Sequence, residues 1–168
     1  MRSINSSRER GFTLAEMLAV IAIISILALM TVPSFQDRII RQQIEAALPL
    51  AEKVAEPPIA DAWALTQTLP ADNQSVGLPT PEKIVNNYVS ALTVQDGAIH
   101  LTFGNRVNKT INGKILTLRP AVVVDAPVVP VTWVCGYAEA PDKTTLKGEN
   151  HTDIPSAYLP LACRAIKK

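Results

Sequence analysis

Glu16 stands at the head of twenty uncharged positions, Met17 to Gln36, and the next charge is Asp37. A carboxylate at membrane depth is costly and calls for a partner. Two readings follow: Glu16 sits at an interface and needs none, or it pairs with a positive group on a neighbouring chain. Other chemistry-bearing residues are few. Cys135 and Cys163 are 28 positions apart. In an oxidising compartment two such cysteines most simply pair, with two free buried thiols as the alternative. For a loop of that length the chain-entropy relation gives roughly 3–4 kcal/mol of stabilisation. His100 alternates with Ile99 and Leu101, which points it outward from a strand, and His151 stands in a polar loop. Neither has a metal-ligand neighbour in sequence, so no metal site and no cofactor is expected. There is no G-x-S-x-G, H-E-x-x-H, C-x-x-C or phosphate loop, and catalysis is not expected. Trp63 and Trp133 read as packing residues.

The chain has 168 residues, enough for one domain and one long accessory element. Hydrophobic residues make up 48% but aromatics only 5%, so the apolar content is aliphatic. A formal charge of +1 excludes a nucleic-acid binder that works by bulk charge, and two cysteines are too few for a zinc knuckle. Twenty helical residues span about 30 Å, the hydrocarbon core of a bilayer. Residues 12–36 are therefore expected to form a membrane helix. Upstream, Arg2, Arg8 and Arg10 against Glu9 give a net +2 that would hold the leader on the cytoplasmic side. After the apolar run comes Thr31-Val32-Pro33-Ser34-Phe35-Gln36, which is not the A-x-A pattern of a secretory signal. A cut after Gly11 would instead remove the charges and leave the apolar segment as the new N-terminus. Each copy would then offer one Phe12 α-amine and one Glu16. Staggered copies could join amine to carboxylate head to tail, a contact that grows a filament when its rotation does not close.

Here a family resemblance enters. Arg10-Gly11-Phe12-Thr13-Leu14-Ala15-Glu16-Met17-Leu18 resembles the class III leader junction of type IV prepilins, with Ala15 and Met17 where Ile and Leu are common. Ile154-Pro155-Ser156-Ala157-Tyr158-Leu159-Pro160-Leu161-Ala162-Cys163-Arg164 resembles the ending of many type IVa pilins, and Thr132-Trp133-Val134-Cys135-Gly136 their first-cysteine segment. The resemblance implies that residues 1–11 are a leader removed by a prepilin peptidase cutting between Gly11 and Phe12. The same enzyme would methylate the amine of Phe12. Glu16 would guide assembly by meeting a neighbour's Phe12 amine, and Cys135 and Cys163 would form the disulfide bounding a C-terminal loop, the D-region. It also implies a helical homopolymer, held in the bacterial inner membrane with the pilus assembly machinery before it becomes an extracellular pilus.

The remaining chain reads directly. From Asp37 to Glu56, Ile40, Ile44, Ala47 or Leu48, Ala51, and Val54 or Ala55 recur at three-or-four spacing, an amphipathic helix (37–56) that lays one face on the globular domain. Pro33 and Pro49 predict kinks, since each lacks an N–H and crowds the carbonyl four residues back. One curved helix is preferred over two broken at Pro33, and melting near Pro33 would let the filament extend under tension. Pro57-Pro58 is expected to end the helix. Residues 57–88 read as an αβ connecting loop with one helical turn near Ala60 to Thr68. Val89 to Val94 and Ala98 to Phe103 flank Asp96-Gly97, a type I′ hairpin that sets Val94 opposite Ile99 and Leu92 opposite Leu101. Lys114 to Leu118, Ala121 to Val124 and Val131 to Ala138 supply further strands, with Pro120 bounding two of them. Residues 89–168 thus form an antiparallel sheet of about four strands and the D-region, and Thr144 to Asp153 reads as an exposed loop tip. The fold class is α+β, with one long helix packed on one sheet.

Three functions fit. The first is a structural subunit of a type IV pilus, serving adhesion, twitching motility or DNA uptake. The second is a minor pilin with a binding role, such as a DNA receptor. Between the cysteines, Lys143 and Lys147 face Glu139, Asp142, Glu149 and Asp153, a balance that disfavours DNA there. The third is a type II secretion pseudopilin, of which the cysteine-bounded ending is not a usual feature. Without the leader the chain keeps 13 Lys and Arg against 14 Asp and Glu, which suits close stacking of copies.

Overall fold

The structure is a computed structural model that describes residues 11–165. The chain divides into two units, Met1–Gln36 and Asp37–Lys168. Helix α1 covers Leu14–Val54 and contributes to both. It is one helix that passes through Pro33 and Pro49, not two. In the N-terminal unit every side chain from Phe12 to Met30 is exposed. This stretch holds the one helical segment among the described residues that is long and apolar enough to cross a membrane.

The C-terminal unit carries the core. Along α1 and the following helix α2 (Glu56–Thr66), Ile40, Ile44, Ala47, Ala51, Ala55 and Ile59 are buried. This is the expected three-or-four spacing, now continued into α2. Pro57 and Pro58 do not end a helix, as the sequence suggests; α1 ends at Val54 and the two prolines lie in the first turn of α2. First-turn N–H groups have no intrahelical acceptor, so proline loses nothing there.

Five strands form one antiparallel sheet: β1 (Val89–Gln95), β2 (Ala98–Phe103), β3 (Ile115–Val122), β4 (Thr132–Cys135) and β5 (Thr145–Leu146). The order is β1-β2-β3-β4, with β5 on β3. The hairpin register is the expected one, Val94 with Ile99 and Leu92 with Leu101. Asp96 and Gly97 both adopt positive φ, 48° and 80°, as a type I′ turn demands. Leu92, Ile99, Leu101, Leu116 and Leu118 join the buried helix residues in one cluster.

Two differences come from β3. Pro120 does not bound two strands; it lies inside one, opposite Trp133 of β4. In an antiparallel ladder a residue's N–H and C=O face the same edge. Pro120 O accepts from Lys147 N at 2.9 Å. The missing donor therefore faces the edge where the pairing of β2 along β3 has ended at Leu118 and that of β5 begins at Ala121. The second difference is Thr144 to Asp153, which is not simply an exposed tip. It supplies β5, and Thr152 is buried, because its Oγ1 accepts from Thr117 N at 3.0 Å. Side-chain bonds to the β3 backbone hold down a segment whose composition reads as solvated loop.

Candidate functional site

The helix N-terminus is built from Gly11, Phe12, Thr13 and Glu16. Gly11 and Phe12 are exposed, and a side chain added at Gly11 would meet nothing. Thr13 precedes the first residue of α1. Its Oγ1 accepts from Glu16 N at 3.3 Å, while Glu16 Oε2 accepts from Thr13 N and from Thr13 Oγ1, both at 2.8 Å. This is a capping box, in which two otherwise orphaned donors of the first turn are satisfied reciprocally. Both carboxylate bonds use Oε2, and among the described residues Oε1 accepts no hydrogen bond. Glu16 therefore holds the start of its own helix, remains exposed and keeps one carboxylate oxygen out of the cap. The spacing Thr-x-x-Glu carries this signal in the sequence.

Cys135 and Cys163 are joined in a disulfide. Gly136, at φ 58°, permits it: a Cβ there would lie 2.8 Å from Cys163 O. Two further bonds hold the bridged segment to itself and a third ties it to β3. Tyr137 Oη donates to Thr152 O at 2.8 Å, Asn150 Nδ2 donates to Gly136 O at 2.9 Å, and His151 N donates to Thr117 Oγ1 at 3.0 Å.

His100 and His151 stack with ring centroids 4.4 Å apart. His100 does point away from the core, as its alternation predicts, but the C-terminal loop covers it and it is only 4% exposed. Its Nδ1 lies 2.9 Å from Thr117 Oγ1, and its Nε2 is buried without a partner among the described residues. Burial, and then the charge of His151, push the His100 pKa down to about 4, with Glu149 opposing. The pairing was not legible in sequence, because it joins residues 100 and 151 through tertiary packing. Trp63 is buried and Trp133 packs on the core cluster, consistent with structural roles.

Comparison with known proteins agrees with this geometry. Residues 41–164 match the pilin family, described as bacterial filament, and residues 6–32 match the prokaryotic N-terminal methylation motif. The chain is 33% identical to the type IV major pilin protein PilE1 of Neisseria gonorrhoeae, over 93% of this chain and 87% of that protein. It is 31% identical to a fimbrial protein of Neisseria meningitidis serogroup B, over 93% of this chain and 94% of that protein. To the fimbrial protein EcpC of Eikenella corrodens it is 30% identical, over 93% and 91%. A chain with this apolar helix, this sheet and this disulfide-closed loop belongs to the pilin family.

Proposed function

We propose that this chain is the polymerising structural subunit of a type IV pilus and performs no catalysis. A prepilin peptidase cuts between Gly11 and Phe12 and methylates the Phe12 amine. Before assembly the apolar stretch Met17–Gln36 holds the subunit in the inner membrane, where the assembly machinery takes it up into an extracellular filament. The amine of Phe12 then meets Glu16 of a neighbouring copy, and Pro33 and Pro49 bend the helix. The observation that carries this reading is an exposed apolar helix headed by one exposed acid, Glu16, whose Oε2 caps the helix while Oε1 accepts no hydrogen bond among the described residues. In a helical array such a surface finds apolar partners in its copies once it leaves the bilayer.

Relatives named as major pilins favour a major subunit over a minor pilin or a secretion pseudopilin. Mass spectrometry of purified filaments tests the reading. The expected result is that this chain dominates, begins at Phe12 and carries one N-terminal methyl group. Finding it uncut, or as a trace component beside another subunit, would overturn the assignment.

A further inference from the structure

Asp37, Arg41 and Glu45 recur every four residues on α1, with alternating sign. Within one helix such neighbours ordinarily pair, although an acid C-terminal to its base is the weaker arrangement. Here neither pair forms. Among the described residues the ion pairs are Lys114 with Asp153 and His151 with Glu149, and Arg41 and Glu45 take part in neither. Arg41 reaches away instead, and its Nη2 donates to Ala157 O at 3.0 Å. Arg164 Nη2 donates to the same oxygen at 3.1 Å. Two guanidinium groups thus lie side by side on one carbonyl, with no carboxylate on either among the described residues. Arg41 Nε is buried and unpartnered among the described residues. Glu45, one turn along, is exposed.

An arginine has five donors and is always charged, and two adjacent guanidinium groups repel. A carboxylate from outside the chain would relieve that repulsion. The nearly balanced mature charge means that a polymer can match such a cation with an acid of another copy. We propose that Arg41 of one subunit binds the Glu45 carboxylate of a second copy of this chain, a head-to-tail ion pair along the amphipathic half of α1. The inference rests on the reading of the chain as a filament subunit. Two parallel copies of the segment 37–54, offset by four residues or about 6 Å, bring Arg41 of one beside Glu45 of the other. The same offset sets Asp37 beside a neighbour's Arg41, so both contacts join opposite charges. Phe12 and Glu16 are also four residues apart in sequence. A one-turn stagger, applied to either segment by itself, therefore pairs a cation with an acid. The contact is heterologous, the type that propagates rather than closing into a dimer.

Charge swaps decide the matter in cells lacking the unaltered gene. Arg41→Glu sets acid against acid between copies, and Glu45→Arg sets base against base. Each alone is expected to lower filament yield roughly tenfold. Producing both variants in one cell restores opposite charges between positions 41 and 45 of alternating copies only if the pair is between chains, so filaments should return and contain both, short of full yield because Asp37 faces the Arg41→Glu side chain at alternate contacts. As a second measurement that does not depend on swapped charges, a chain carrying Arg41→Cys and Glu45→Cys should give a ladder of disulfide-linked oligomers on mild oxidation of intact filaments. Normal yield from either single swap, no recovery on co-production, or the absence of a ladder would overturn the contact. Absence of filaments from the unaltered chain would overturn the subunit reading and this contact with it.

Discussion

In the N-terminal unit Leu18, Ile21, Ile24 and Leu27 stand 58–59% exposed, whereas in the C-terminal unit Ile44, Leu92 and Leu101 are 0% exposed. Both sets are aliphatic and both lie on regular, hydrogen-bonded elements. They differ in whether the chain supplies its own apolar partner. From Asp37 onward one helix face meets one sheet face, and the resulting core is complete within the chain. From Phe12 to Met30 the helix leaves its apolar side chains exposed. A soluble monomer rarely exposes a contiguous apolar surface of this extent, so such a surface marks an interaction site. The same residue types thus specify folding in one region and association in the other.

This contrast is broken most severely at Glu16. Glu16→Gln keeps an acceptor for the capping box, which Gln also serves, and removes only the charge. We expect near-complete loss of filaments by electron microscopy, with the unfolding midpoint of the detergent-solubilised protein unchanged within about 2 °C. Normal filaments would show that the N-terminal unit associates by apolar contact alone. The converse variant is Phe103→Ala. Phe103 is fully buried among core side chains, and its truncation should cost about 3–5 kcal/mol in urea unfolding. A loss below about 1 kcal/mol would mean that the C-terminal unit is less self-sufficient than its burial indicates.

A smaller effect is expected from the covalent closure of the loop. Replacing Cys135 and Cys163 together by Ser should lower stability by roughly 2–4 kcal/mol. The β1–β3 sheet, whose register does not depend on the bridge, should persist in circular dichroism. Collapse of the whole C-terminal unit would show instead that the loop is part of its core.

Much of the fold was legible because it rests on local periodicity. Ile40, Ile44, Ala47 and Ala51 announce a helix face, and Asp96-Gly97 fixes a hairpin register that propagates to Leu92 and Leu101. What escaped depends on partners distant in sequence. Pro120 reads as a strand boundary until β5 is known to take over the edge it faces. Pro57-Pro58 reads as a stop because the rule for helix interiors and the rule for first turns give opposite answers. At the N-terminus the order Gly11-Phe12 and the lone acid were readable, yet the cap formed by Thr13 was missed although its spacing was in view. The stack of His100 on His151 needed a loop to fold back over 51 residues of chain, which no local pattern encodes.

That stack gives the last and smallest test. A histidine with its pKa pushed down to about 4 binds fewer protons folded than unfolded. Its cost to stability is therefore absent above the unfolded value of about 6.5, grows as pH falls, and is complete below about 4. At pH 5 it amounts to about 2 kcal/mol. Glu56 has the opposite sign. Burial and then the charge of Glu52 push its pKa up to about 7. It binds more protons folded than unfolded, so it adds stability as pH falls from about 7 towards its unfolded value near 4.5. Glu56 is partly solvated, which reduces that gain without changing its direction. The two slopes oppose each other over the same window, and the unaltered protein should show a nearly flat unfolding midpoint between pH 7 and 5. Glu56→Gln removes the opposing group. Its midpoint should fall as the pH is lowered through this window, and His100→Phe added to it should abolish the fall. A flat profile in the single Glu56→Gln variant would mean that the C-terminal loop lifts off His100 before the ring must be protonated under cover, and that the loop is separable from the core it lies on.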